Sequence, residues 1–235
     1  MSSSWTLRAA WGDRPEPVAS CARRLVAWLD GMAGADPALA EWFLKGRTRA
    51  SADRPVPRDD PDAVEALLLG GRNRRDSGGE VIEELGFSIG LWNRQPVAVG
   101  LRATVGGSAA AKGVRNSLAL TLPPVSAESA SLHQRATAER VMAALVEAWD
   151  PQWASWYTLP LLDAQAPGPH EPVVGWLTHL SEPCPPGPLP GGATCRPWAG
   201  GSLLALADRA QDVTDGAVVA VRRHLVDHGA IRPTG

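Results

Sequence analysis

The chain has 235 residues, and its 23 Lys and Arg against 25 Asp and Glu leave a net charge of −2. That balance excludes both a polybasic nucleic-acid tail and a strongly acidic surface that mimics DNA. A chain of this length can bury a core without disulfides or metal. Three cysteines, Cys21, Cys184 and Cys195, are too few and too odd in number for a disulfide framework. No apolar run approaches the ~20 residues that span a bilayer. Met1 to Trp11 has no charged stretch followed by an apolar one, so no signal peptide is read there. The expectation is a soluble protein of a reducing compartment, the cytoplasm.

Trp5, Leu7, Ala9 and Trp11 alternate as in a strand. Asp13-x-x-Glu16 has the form of a capping box before a helix. Val18, Ala22, Leu25, Leu29 and Met32 give that helix one buried stripe, closed at Gly34. Asp36-Pro37 predicts a second, shorter helix with Leu39, Trp42 and Phe43 inward and Gly46 at its end. Asp60-Pro61 predicts a third, with Val64, Leu67 and Leu68 inward and Gly70-Gly71 as terminator.

Period-two runs follow: Leu85 to Leu91, Val97 to Val105 and Leu118 to Leu122. With turns between them, they predict an antiparallel meander over about residues 81–123. Residues 106–113 read as a mobile hairpin tip. Helical spacing returns from Ser126 to Trp149 and stops at Asp150-Pro151. Short strands are expected at Trp153 to Leu159, Val174 to Leu180 and Ser202 to Ala207. A Pro/Gly-rich loop spans 182–201, a last helix runs from about Thr214 to His228, and 230–235 reads as a flexible tail. The order of elements predicts one α+β domain over 1–235, a mostly antiparallel sheet packed against about five helices.

Candidate chemistry is thin. Gly86-Phe87-Ser88-Ile89-Gly90 matches the G-x-S-x-G of a hydrolase elbow, which needs a strand before the serine and a helix directly after it. Alternation runs unbroken through Ser88 to Trp92, which makes Ser88 a mid-strand residue. Residues 106–113 resemble a phosphate loop, but Ala111 and Gly113 flank Lys112 where the Walker pattern needs Gly and Ser or Thr. His224 and His228 share a helical face, as zinc-binding pairs do, yet histidines in a last turn also suit the helix dipole. Cys184 and Cys195 lack the spacing of a shared metal site. No catalytic, cofactor-binding or metal-binding residue is assigned.

Charge is concentrated between residues 59 and 84. Arg72, Arg74 and Arg75 lie among Asp59, Asp60, Asp62, Glu65, Asp76, Glu80, Glu83 and Glu84, with Lys45, Arg47 and Arg49 upstream. Such a mixed-sign surface fits a protein partner better than nucleic acid. Ten tryptophans are the compositional oddity. Several belong to the core, and Trp is also enriched among interface anchors. Trp92 falls on the meander face opposite Phe87. The candidate partner-binding residues are Asp59, Asp60, Asp62, Arg72, Arg74, Glu80, Glu83, Glu84, Trp92 and Trp153.

Several segments carry a resemblance over nearly the whole chain. They are Trp11-Gly12-Asp13-Arg14, Gly46-Arg47-Thr48-Arg49, the block from Gly71 to Ser88, and Leu91-Trp92-Asn93. Asn116-Ser117 with Leu118 to Pro123, Trp149-Asp150-Pro151-Gln152-Trp153 and Gly175-Trp176-Leu177-Thr178 complete them. Together the chain resembles the immunity protein 52 family of bacterial polymorphic toxin systems. The resemblance implies an α+β protein that is not an enzyme and needs no cofactor. Its partner would be a cognate toxin, looking like a restriction-endonuclease-type nuclease, with no direct nucleic-acid or membrane binding. Two other classes stay open: an effector chaperone or adaptor of a secretion apparatus, and a hydrolase using Ser88 or a metal enzyme using His224 and His228. A neighbouring toxin gene favours the first reading, binding to a delivery domain the second, and an exposed strand-to-helix turn at Ser88 the third.

Overall fold

A computed structural model describes residues 3–45 and 54–232. The strands are β1 (Trp5–Trp11), β2 (Phe43–Leu44), β3 (Phe87–Trp92), β4 (Gly100–Val105) and β5 (Asn116–Leu122). β6 (Trp153–Thr158), β7 (Leu177–Leu180), β8 (Thr194–Trp198) and β9 (Gly201–Ala205) follow. Five α-helices accompany them among the described residues: α1 (Val18–Ala35), α2 (Pro61–Gly70), α3 (Arg135–Trp149), α4 (Leu159–Gln165) and α5 (Asp215–Asp227). The strands form one open sheet in the order β2-β3-β4-β5-β1-β6-β7-β9-β8. This is the α+β class that the element order predicts. The chain divides into two compact units, residues 10–120 and residues 1–9 with 121–235.

In the unit of residues 10–120, α1 buries Cys21, Ala22, Leu25, Trp28, Leu29, Met32 and Ala35, the three- and four-residue spacing of one helical stripe. α2 begins as its sequence predicts: Pro61 occupies the first turn, and the Asp60 carboxylate accepts the Ala63 N–H at 3.0 Å. The strands β3 and β4 pair antiparallel with Phe87 opposite Val105, Ile89 opposite Ala103 and Leu91 opposite Leu101. All six are buried. Burying each large aliphatic or aromatic side chain contributes roughly 1.5–3 kcal/mol, which fixes the register, because a one-residue slip would expose the whole set.

Three local expectations for this unit are corrected. Asp13 and Glu16 do not form a capping box. The α1 N-cap is Pro17, without a side-chain hydrogen bond. Prolines at 15 and 17 keep the chain extended and remove N–H groups that such a box would use. Asp13 instead accepts the Ala110 N–H at 2.8 Å, and Glu16 pairs with Arg24 at 3.0 Å. The helix expected after Asp36 is a single 3-10 turn, Pro37–Leu39, beyond which β2 pairs Phe43 with Trp92 and Leu44 with Leu91. Strand pairing there overrides local propensity; the expected end at Gly46 lies outside the described residues. The tip at 106–113 is anchored rather than loose. The Gly107 N–H donates to Asn116 Oδ1 at 2.8 Å, Lys112 pairs with Glu84 at 2.6 Å, and Ala109 is buried.

In the other unit, β6 pairs with β7, β7 with β9 and β9 with β8, all antiparallel. Tryptophans dominate its core. Trp156 and Trp176 meet edge-to-face at 6.1 Å, Trp5 and Trp176 at 6.2 Å, and the Trp176 indole N–H donates to the Ala207 carbonyl. Arg222 closes a buried ion pair with Glu171. α4, which the sequence does not announce, follows β6 directly. α5 is capped by Thr214, whose side chain accepts the Ala217 N–H at 3.2 Å. Within 182–201, expected to be loop, Thr194–Trp198 forms β8. At the start of the expected tail the chain is packed: Ile231 is 1 % exposed and its N–H donates to the Leu225 carbonyl, while residues 233–235 lie outside the described residues.

The cysteine arithmetic is corrected as well. Cys184 and Cys195 form a disulfide that ties the start of the Pro/Gly-rich segment to β8. An odd total permits one bridge and one free thiol, and Cys21 is that thiol. Burial pushes its pKa up to about 11, so it is protonated and unreactive at neutral pH. The ground for reading a reducing compartment from the cysteines is therefore lost.

Candidate partner-binding surface

The most charged segment folds as a hairpin. After α2, Arg72 faces Phe87 and Arg74 faces Val81 in antiparallel bridges. The Ile82 N–H donates to the Asn73 carbonyl and the Arg75 N–H to the Glu80 carbonyl, both at 2.9 Å. Close packing sets its base. A Cβ on Gly86, whose φ is +61°, would lie 2.2 Å from the Val105 carbonyl oxygen.

Packing does not account for the charges that the hairpin carries. Arg75 and Glu80 approach at 3.8 Å, but both are largely exposed, a geometry that contributes little to stability. Asp76 is exposed and has no hydrogen bond or ion pair among the described residues, so it does not pair with Arg74 or Arg75. The Arg74 guanidinium donates to the Gly79 carbonyl at 2.9 Å. Arg72 stacks over Phe87 at 5.4 Å and reaches Glu83 at 3.4 Å. Beside the hairpin lies a groove of about 740 Å³. Arg72, Arg75, Glu83 and Glu84 line one side, and Pro17 and Val18 at the start of α1 another.

The other candidates scatter. Asp59, Asp60 and Asp62 are exposed at the start of α2, where Asp60 is occupied as the helix cap. Glu80 and Glu83 are exposed and Glu84 is half-buried against Lys112. Trp92 is half-buried beside Phe43. Trp153 is only 4 % exposed, with the Arg8 guanidinium 5.9 Å from its ring, so it belongs to the core and offers no surface anchor. Ser88 stands inside β3 with its hydroxyl 3.4 Å from that of Thr104, and no helix follows it. His224 and His228 stack at 4.1 Å, and the described residues hold no group of three or more potential metal ligands. Arg47 and Arg49 lie outside the described residues.

Arg102 is exposed in β4 directly opposite Gly90, and an isolated cation in an alternating strand was the available signal.

A family model described as Immunity protein 52 matches residues 4–233. No curated protein matches the chain significantly. Among solved structures, a Pseudomonas aeruginosa T6SS protein, PA0821, is similar with a TM-score of 0.51 and 12 % identity. The alignment covers 98 % of this chain and 73 % of the other. At that identity the likeness is one of fold.

Proposed function

The chain belongs to the immunity protein 52 family, and from that premise we propose that it binds a cognate toxin and holds it inactive in the cell that makes both. The action is stoichiometric binding, without catalysis. The observation that carries the reading is the hairpin from Arg72 to Glu84, whose exposed charges, Arg75, Asp76, Glu80 and Glu83 among them, stand beside a groove and make loose contacts or none. The T6SS description of the similar Pseudomonas aeruginosa structure supports a setting of toxin delivery between bacteria.

The toxin in this reading is a nuclease. A cleft that attracts phosphates is basic, and carboxylates at Asp59, Asp62, Glu80 and Glu83 are its natural counterpart. Attraction of this kind is local, since the net charge is only −2. Co-expression with the toxin encoded beside this gene tests the reading. Rescue of growth together with co-purification supports it, and a toxin that kills in the presence of this protein refutes it.

The Cys184–Cys195 disulfide favours a second reading of where this happens. Disulfides persist in oxidising compartments and are reduced in the cytoplasm, so the toxin would be met outside the reducing cytoplasm. A cytoplasmic nuclease requires instead that the pair be reduced in the cell. Fractionation with thiol trapping in intact cells decides between them.

A further inference from the structure

In the unit of residues 10–120, the sheet formed by β2, β3 and β4 turns one side to its buried core, and among the described residues those of its other side are half-buried or exposed. Leu44, Leu91 and Leu101 define the covered side. The other side is built in rows across the strands. Phe43, Trp92 and Gly100 form one row by register. Gly90 faces Arg102 in the next, where Lys45 joins by donating its N–H to the Gly90 carbonyl at 2.8 Å. Ser88 and Thr104 form the third. No residue of these rows is a carboxylate.

What distinguishes Lys45 and Arg102 is their place on one sheet face beside two aromatic rings, since other cations of the described residues, Arg54 and Arg223 among them, are also exposed without an ion pair. Many of the other cations, such as Arg24, Arg58, Arg135 and Arg222, engage a carboxylate. Lys45 and Arg102 are exposed and have no ion pair or hydrogen bond from their side chains among the described residues. Glycines make room for them. The Lys45 side chain lies over the sheet, so that a Cβ on Gly100 would stand 2.8 Å from its Nζ and one on Gly90 3.6 Å from its stem. A third cation, Arg94, stacks over Phe43 at 5.3 Å. This sheet face thus carries cations beside two aromatic rings, whereas the carboxylates of Asp59 to Glu84 lie off its rows.

We propose that this face of β2, β3 and β4 is a docking surface for a carboxylate-rich segment of a protein partner. Lys45 and Arg102 meet the carboxylates, and Phe43 and Trp92 supply the apolar contact that such interfaces need at their centre. Charge complementarity selects the partner. Two unpaired cations suit a short acidic segment, whereas a nucleic-acid backbone brings a long run of phosphates toward the carboxylates of the same unit. The cations and rings of this surface are other residues than the charges of the hairpin, and its test does not involve the toxin.

The test is titration of the full chain with a fluorescein-labelled oligoglutamate peptide, read by anisotropy at low and high salt, with labelled oligothymidylate in parallel. The wild type is expected to bind the peptide in a salt-sensitive manner. Lys45→Glu with Arg102→Glu is expected to weaken binding by about tenfold or more. Arg223→Glu, at an exposed cation of α5, is expected to leave it unchanged. Lys45→Gln with Arg102→Gln gives the same loss in smaller measure if the charge reversals disturb folding. Absence of peptide binding by the wild type, equal binding by the double variants, or preference for oligothymidylate overturns the proposal.

Discussion

Gly71 stands so close to Ser88 that a Cβ on it would lie 1.9 Å from the Ser88 carbonyl oxygen. The contact is part of the base of the hairpin, because the Ser88 N–H donates to the Gly71 carbonyl at 3.0 Å. Both partners are backbone, so neither can rotate out of the way. Gly71→Ala is therefore expected to destabilise the protein by about 1–3 kcal/mol, the usual cost of forcing an extra methyl into a packed site. Thermal melting checks this: for a chain of this size each kcal/mol shifts the midpoint by roughly 2–4 °C. Gly70→Ala, beside it, meets nothing within 4 Å and is the matched control.

Asp76 sits at the other end of the same hairpin and behaves oppositely. Exposed and without a partner among the described residues, it contributes nothing that packing or pairing would record. Asp76→Ala is expected to leave stability within about 0.5 kcal/mol. If the hairpin meets the toxin, the same variant lowers protection of cells co-expressing that toxin. A fall in melting temperature with full protection would assign Asp76 to the fold and remove it from the interface.

The contrast between these two positions shows what the sequence could reveal. Period-two alternation placed Phe87, Ile89 and Leu91 inward, because a half-buried strand records its burial in its own spacing. The α1 stripe and the Asp60 cap were legible for the same reason: the cause lies within a few residues. Phe43 was read as helical because the partner that makes it a strand, Trp92, is far along the chain. Sequence alone allows Trp153 a surface role because tryptophan serves cores and interfaces alike, and only packing places it in the core. The disulfide was missed because the cysteine count speaks to a framework of bridges, whereas two cysteines brought together by the β8–β9 hairpin need only each other.

That disulfide closes a short loop, with Cys184 and Cys195 eleven positions apart. Loop closure of this size restricts the unfolded chain by about 2–4 kcal/mol. Cys184→Ser with Cys195→Ser, or reduction of the purified protein, is expected to lower the melting midpoint accordingly. The effect should centre on β8, whose residues are mostly exposed. Hydrogen exchange reads it as faster exchange in residues 194–198, with α1 unaffected. Mass spectrometry after reduction and thiol trapping without denaturant is expected to find Cys184 and Cys195 modified and the buried Cys21 unmodified.

Two buried histidines predict an acid-side loss of stability. Burial lowers the pKa of both His133 and His179 from the ordinary value of 6.5. His133 has its Nε2 3.0 Å from the Pro123 carbonyl, and His179 packs edge-on to Trp198 at 5.7 Å. Because the folded state holds them neutral, the unfolded state binds protons first as pH falls. Their contribution is thus fully present above about pH 6.5 and is lost as pH falls toward their folded values. Melting curves between pH 7.5 and pH 5 are expected to fall. His179→Asn or His133→Gln is expected to be less stable at the upper end and to show a shallower decline.

Glu80, Glu83 and Glu84 offer the most direct test of how the toxin is approached. Glu80 and Glu83 are exposed, and their arginine contacts, Arg75 at 3.8 Å and Arg72 at 3.4 Å, are loose. Only Glu84 makes a close pair, with Lys112 at 2.6 Å, and that pair is itself open to solvent. Exposed pairs of this kind are worth about 0–1 kcal/mol each, so reversing all three charges to lysine is expected to shift stability only modestly. Association is another matter. Charges at the rim of an interface act over the distance at which partners first orient, and they act on the rate of encounter more than on dissociation. The triple Glu→Lys protein is expected to associate with a basic toxin about tenfold or more slowly at low salt. Its dissociation rate should stay nearly constant, and raising salt should narrow the gap because screening removes the steering that the variant has already lost. Stopped-flow association at two ionic strengths checks this. Equal association rates at low salt would take these three carboxylates out of the encounter and leave the acidic start of α2, at Asp59 and Asp62, as the remaining candidate.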